Sequence, residues 1–347
     1  MPTWNVYTVN GSPAGYLNPS ATGKDPKSEN EVICDSIQGN VADCCLLTAL
    51  GSCAWNNSVT NIPKPADNFA PSFTIVFWWY DKSQPLNPAT MISTPITVSN
   101  TLFLNINTPV YAQPTPQNEI WVAIYEKAFA VFAGCQTTNG NPDISKLTTP
   151  PIDLKPSSAL SVLVNLTRKK FSFTTAYPPQ TAFETINAPP SPYNGQQCQD
   201  YYDIIKTVCT PNVASSGKTK YPMVAWTYDS ENYLPQEWKD KGLKYRYETI
   251  NLDRMLVAKH TYSILGYYTS GGNKYIVLRD PLGKWGTKTP QEDPVIKSYL
   301  PPAPSNWDPV QDHVKFPIRD ISPCPCGVFG LRVDAFKGCF KGFGWVQ

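Results

Sequence analysis

At 347 residues, 41% of them hydrophobic, the chain is long enough to bury a sizeable core, and its length favours two domains or two lobes of one catalytic unit. A formal net charge of +2, with no basic block beyond Arg168-Lys169-Lys170, argues against nucleic acid or an anionic membrane surface as a charge-driven partner. Charged residues are 16% of the chain, where soluble domains usually carry roughly 25%, and the 35 prolines are about twice the usual share, so turns, strands and rigid loops should be frequent.

Residues 1 to 33 are rich in Asn, Ser, Gly and Pro and read as an extended lead-in with a short strand at Trp4 to Val9. Nothing in the first fifteen residues pairs a basic start with an apolar run, and no stretch approaches the ~20 apolar residues of a membrane span. A soluble, cytoplasmic protein is expected, with its oligomeric state open. Ten cysteines at irregular spacing do not form a disulfide framework in a chain of this size. Cys324-Pro325-Cys326 lacks the two-residue gap of common zinc ligand pairs, so neither structural zinc nor any other cofactor is expected.

Asp43, a good N-cap residue, precedes Cys44, Cys45 and an apolar run of Leu46, Leu47, Ala49 and Leu50, which predicts a buried helix to about Trp55. Ser72 to Tyr80 reads as a strand, rich in aromatic and β-branched residues. Ile92 to Val98 and Thr101 to Ile106 could pair with each other around Ser99-Asn100. Apolar residues at 3.6-residue spacing predict a helix over Glu119 to Gly134, with Gly134 as its stop. Another helix is expected over Ser158 to Leu166. After a strand at Phe171 to Thr175 and a proline-rich connection over 177 to 195, Asp200 to Cys209 reads as a short helix. The remainder is mostly strand: Met223 to Tyr228, Thr261 to Tyr268, Tyr275 to Arg279 and Gly327 to Val333, with Gly271-Gly272-Asn273 as a hairpin turn. The helix-rich first half and strand-rich second half divide near 167 to 175.

Chemistry concentrates in Gln38-Gly39-Asn40-Val41-Ala42-Asp43-Cys44-Cys45. A thiol in the first turn of a helix feels the positive end of the backbone dipole, which favours the nucleophilic thiolate. The Gln38 amide could donate to a carbonyl oxygen that becomes negative during attack. The same residues also fit a free cysteine buried as a small hydrophobe. A thiolate nucleophile usually needs a base, and the chain has two histidines, His260 and His313. His260 stands at the entrance to an apolar strand, where a side chain can face a cleft, although a satisfied structural histidine fits there too. The next strand ends on Asp280-Pro281 and runs back through the glycine hairpin, so residue 280 can lie beside residue 260 and orient its imidazole.

These stretches resemble the protease core of the calpains, papain-like cysteine proteases. The family motif Gln-Gly-x-x-Gly-Asp-Cys-Trp is similar to residues 38 to 45, and Trp-x-x-x-x-Glu-Lys-Ala to Trp121-Val122-Ala123-Ile124-Tyr125-Glu126-Lys127-Ala128. His-Ala-Tyr-Ser resembles His260-Thr261-Tyr262-Ser263, and Leu-Arg-Asn-Pro-Trp-Gly resembles Leu278-Arg279-Asp280-Pro281-Leu282-Gly283. The closing pattern is echoed by Gly327-Val328-Phe329, Asp334-Ala335-Phe336 and Phe340. The resemblance implies an α+β, papain-like fold with two lobes. A helix-rich lobe, residues 1–170, carries the nucleophile, and a strand-rich lobe, residues 171–347, carries the histidine and its orienting group. It implies Cys44 as nucleophile, His260 as acid and base, Asp280 as orienting residue, Gln38 as oxyanion donor, and Leu282 and Asp43 as cleft-lining. Cys45 is then expected to point away from the cleft, buried and inert.

Several positions depart from the family pattern, and four of them bear on the expected activity. Asp280 replaces an asparagine, which should raise the histidine pKa. Leu282 replaces a cleft tryptophan, Cys45 another tryptophan, and Ala42 a glycine. A positive φ at Ala42 would cost about 1 kcal/mol. The family's calcium-binding loops correspond to stretches with almost no carboxylate: Pro323 to Val328 has none and Gln136 to Lys146 offers Asp143 alone, so calcium is not expected to be required. The expected activity is a cysteine endopeptidase acting on protein or peptide substrates. The alternatives are an inactive scaffold of the same fold, or acyl transfer to an amine by the same thiolate.

Overall fold

The computed structural model describes residues 2–9, 11–13, 36–39, 41–56, 70–81, 85–113, 120–135, 141–148, 159–175, 201–213, 216–247, 256–283, 295–299 and 327–347. The proline-rich connection over 177 to 195, His313, and the Cys324-Pro325-Cys326 stretch lie outside them.

Three short strands open the chain: β1 (Thr3–Val6), β2 (Thr8–Val9) and β3 (Ser12–Pro13). Helix α1 (Cys44–Trp55) follows, with every residue buried. Next come β4 (Ser72–Trp79), β5 (Ile92–Ser99), β6 (Thr101–Asn105), β7 (Thr108–Pro109), α2 (Trp121–Phe132) and α3 (Ala159–Thr167). Gly134 has φ +81°, the left-handed conformation that lets the chain turn away after α2.

The expected pairing of the strands flanking Ser99-Asn100 does not occur. β5 pairs along its full length with β4, from Ser72 opposite Ser99 to Trp79 opposite Ile92, while β6 pairs with β1 and β7. Lys127 of α2 explains why no hairpin closes there. Its buried ammonium donates to the carbonyls and hydroxyls of both Ser99 and Thr101, at 2.7 to 3.3 Å, so the polar groups at the crossing serve the helix.

The second half builds one antiparallel sheet. Its strands are β8 (Phe171–Thr175), β9 (Cys209–Val213), β10 (Ser216–Thr219), β11 (Met223–Thr227), β12 (Thr261–Ser270), β13 (Asn273–Arg279), β14 (Val328–Arg332) and β15 (Phe340–Val346). They run in the order β14-β13-β12-β11-β15-β8, with β10 beside the later part of β12 and β9 beside β10. Three short helices accompany the sheet: α4 (Tyr201–Thr207), α5 (Gln236–Asp240) and α6 (Val333–Cys339). Gly271 and Gly272, both with positive φ, form the two-residue turn from Ser270 to its partner Asn273.

The two-residue period of the strands sorts this sheet into two faces. Val224 and Trp226 of β11 join the cluster of α1, α2, α3 and β4, whereas Met223 and Ala225 join the cluster around α4 and α6. On β12, Thr261 and Ser263 contact α1, while Tyr262 and Ile264 face the opposite cluster. Helix α1 thus lies across the first residues of β12, and this packing carries its N-terminus to the start of that strand.

Polar side chains stitch the interface. The Thr48 hydroxyl donates to the Thr261 carbonyl at 3.1 Å, and the Ser263 hydroxyl donates back to the Thr48 carbonyl at 3.0 Å. Ser52 donates to the Met223 carbonyl and accepts from its N–H, at 2.9 and 2.7 Å, and the Trp55 indole donates to the Leu265 carbonyl at 2.8 Å. Residues 48, 52 and 55 follow helical spacing, so one stripe of α1 is polar and fully satisfied although the helix is buried throughout.

Candidate active site

Cys44 is the first residue of α1 and is 7% exposed, while its neighbour Cys45 is 1% exposed. Asp43 occupies the N-cap position through its main chain alone: its carbonyl accepts from the N–H groups of Leu46 and Leu47, and its side chain caps nothing. The carboxyl is buried and meets Glu126 of α2, whose other oxygen accepts from the Ala112 N–H at 2.9 Å. Asp43 was expected to line the cleft, but its burial against a second carboxyl puts it behind the cysteine. Burial and the charge of Glu126 push the Asp43 carboxyl well up, and burial pushes Glu126 up to about 7, so the pair holds a proton between them. Ala42 has an ordinary negative φ, so the expected strain there is absent.

His260 immediately precedes β12. Its N–H donates to the Thr227 hydroxyl at 3.1 Å and its carbonyl accepts from the Thr227 N–H at 3.0 Å, while the preceding Lys259 takes φ +50°. The Tyr262 ring meets the imidazole edge-on, with centroids 5.1 Å apart, and the Tyr262 hydroxyl accepts from the Val257 N–H. Nε2 of His260 stands 2.9 Å from Oδ1 of Asp280. That oxygen also accepts from the Leu282 N–H at 2.9 Å, and the Asp280 N–H donates to the Gly327 carbonyl. With Nε2 held by the carboxylate, Nδ1 is the ring atom left free of it, and the charge of the imidazole acts on the Cys44 sulfur to favour the thiolate.

Gln38 is held at several fixed points. Its N–H donates to the Pro281 carbonyl at 2.8 Å, and the neighbouring Ile37 pairs with Gln113. The Arg279 guanidinium, fully buried, donates to the hydroxyl and carbonyl of Ser36 at 2.8 and 2.9 Å. A Cβ on Gly39 would fall 1.9 Å from the Tyr111 carbonyl oxygen, so only glycine fits there. One N–H of the Gln38 amide donates to the Val41 carbonyl at 2.5 Å. Leu282 is half-buried beside Asp280.

The electrostatics oppose each other across the pair. Burial works against a charged imidazole, but the Asp280 carboxylate and the Cys44 sulfur outweigh it and raise His260 to about 10. A hydrogen bond from Cys45 is the largest influence holding the Cys44 thiol well below its usual range, and the His260 charge and the Thr261 hydroxyl add to it against the cost of burial. Both shifts favour a thiolate facing an imidazolium over the neutral pair.

Two residues at the sulfur were not read from the sequence in this role. The Thr261 hydroxyl lies 3.3 Å from the Cys44 sulfur and 3.7 Å from that of Cys45. Cys45 is buried as expected, but its sulfur turns toward Cys44 and Thr261. The signal was present in the motifs, since Thr261 stands where the calpain pattern has alanine and Cys45 where it has tryptophan.

No helix among the described residues is long and apolar enough to cross a membrane. No curated protein matches the chain. Residues 20–145 match the family model described as calpain family cysteine protease, a span that holds Gln38, Cys44 and α2 and ends before His260 and Asp280, and over that span the chain is calpain-like.

Proposed function

We propose that the protein is a cysteine endopeptidase in which Cys44, His260 and Asp280 act as a set, with residues 1–170 and 171–347 as the two lobes of a papain-like core. The observation that carries this reading is that the Cys44 sulfur lies 3.3 Å from the hydroxyl of Thr261, the residue after His260, whose Nε2 is itself 2.9 Å from Oδ1 of Asp280. The Cys44 thiolate attacks the carbonyl carbon of a peptide bond. The second N–H of the Gln38 amide, beyond the one given to Val41, serves the oxygen as it becomes negative. The imidazolium of His260 gives its proton to the leaving amine, and the resulting neutral imidazole takes a proton from the water that releases the acyl group. Asp280 keeps the imidazole oriented and stabilises its charged form.

Calcium independence rests on the carboxylate-poor stretches 136–146 and 323–328. The carboxylate of Asp143 in the first of these already accepts from the Ser145 hydroxyl at 2.5 Å. Labelling with a thiol-directed peptidyl epoxide, with the adduct mapped by mass spectrometry, tests the assignment. A single adduct on Cys44 that disappears with His260→Ala supports it; an adduct on another cysteine, or equal labelling of Cys44 without His260, overturns it.

A further inference from the structure

Helix geometry turns successive side chains by about 100°, so two adjacent cysteines ordinarily face different surroundings. Here both sulfurs converge on one hydroxyl. Because the first turn of α1 lies over the start of β12, the Thr261 side chain, itself 0% exposed, stands between them at 3.3 Å from Cys44 and 3.7 Å from Cys45. Two of the positions where this chain departs from the calpain motifs therefore meet in space. Thr261 brings a hydroxyl where the pattern has alanine, and Cys45 a compact thiol where it has a bulky indole.

We propose that Cys45 is a positioning residue of the site, its thiol donating to the Cys44 sulfur from within α1 while the Thr261 hydroxyl donates from β12. The inference rests on Cys44 being the nucleophile. Cys45 is 1% exposed and has no path to a peptide in the cleft, so it acts through Cys44 and touches no substrate. A donor at this place must keep its own proton while its neighbour loses one. Burial in the α1–β12 interface and the adjacent negative sulfur favour that division, and Cys45 is correspondingly held well above the usual thiol range. The other titratable groups around the sulfur are His260 and Tyr262 from β12 and the turn before it, Asp280 behind the imidazole, and Asp43 with its proton-sharing partner Glu126. His260 is the cation of the set. The thiol and hydroxyl donors supplement it without adding a charge.

The test is the pH dependence of alkylation of Cys44 by iodoacetamide in the full chain, with the modified residue mapped by mass spectrometry. Wild type should show a thiolate midpoint well below that of an ordinary cysteine. Cys45→Ala should raise the midpoint by about one pH unit, the effect of one hydrogen bond to a charged acceptor, and Thr261→Val should raise it similarly. Cys45→Ser keeps a donor and should restore most of the wild-type midpoint, which a purely structural role for the side chain would not produce. A low wild-type midpoint that Cys45→Ala leaves unchanged, or an equal rise in the Ser and Ala variants, overturns the role of Cys45 while leaving Cys44 as nucleophile. An ordinary midpoint in wild type overturns both.

Discussion

Asp280 is the residue whose chemistry differs most from the calpain asparagine. Its oxygen is bound by both His260 and the Leu282 N–H, so an asparagine oxygen can keep the same two hydrogen bonds. What Asp280→Asn removes is charge. The alkaline limb of the kcat/KM profile, set near the His260 value of about 10, should then move down by more than one pH unit, while activity at neutral pH stays within roughly tenfold. A pH–rate profile checks this, and an unmoved limb would mean that the carboxylate does not set the imidazole. If the Gln38 amide serves the oxyanion as proposed, Gln38→Ala should lower kcat by about 10²- to 10³-fold with little change in KM, because that charge develops only during attack. Cys44, His260, Asp280 and Gln38 stand out in the sequence as candidates because each sits in a motif with chemical meaning at a fixed spacing. The direction of the Cys45 sulfur was not legible, since it depends on how α1 crosses β12. Nor was the ordinary backbone of Ala42, which follows from the local path of residues 41 to 43.

The elements carry a second set of consequences. Helix α1 read from sequence as an apolar run, and its ends were right to within a residue. Its polar stripe was hidden, because Thr48 and Ser52 acquire partners only from strands more than 170 residues away. Ser52 both donates to and accepts from Met223, so Ser52→Ala strands two buried backbone groups and should cost about 2 kcal/mol in denaturant unfolding. The same limit explains the misplaced partner of β5: hydrophobic alternation identifies a strand, and Lys127, far along the chain, decides where it can pair.

The link between α1 and α2 makes stability depend on pH. Three oxygens of Asp43 and Glu126 have no donor apart from the proton they share. Glu126 is raised from 4.5 to about 7 by burial, so the folded state binds the proton more tightly than the unfolded chain does. The contribution of Glu126 is complete below about pH 4.5 and is lost as pH rises through about 7, while Asp43, held well up by burial and by Glu126, keeps the shared proton. Glu126→Gln, whose amide can donate to Asp43 at any pH, should flatten the dependence of Tm on pH across that window. An unchanged slope in thermal melts would contradict the raised Glu126 carboxyl.

On the scale of the whole molecule, one antiparallel sheet holds α1 and α3 against one face and α4 and α6 against the other, and the site forms where the start of α1 meets the ends of β12 and β13. The mixture of helices and strands was legible from periodicity, and the approach of residue 280 to residue 260 followed from the glycine hairpin. The path of β15 between β11 and β8 was not legible, because both partners lie far back along the chain. The account predicts that the folded chain is a peptidase without added metal. The most direct measurement is turnover of an unfolded protein substrate with a calcium chelator present, comparing wild type with Cys44→Ser. Repeated cleavage by wild type and a loss of at least about 10³-fold in the variant is the predicted result. No turnover by wild type, or cleavage that survives in Cys44→Ser, would contradict it.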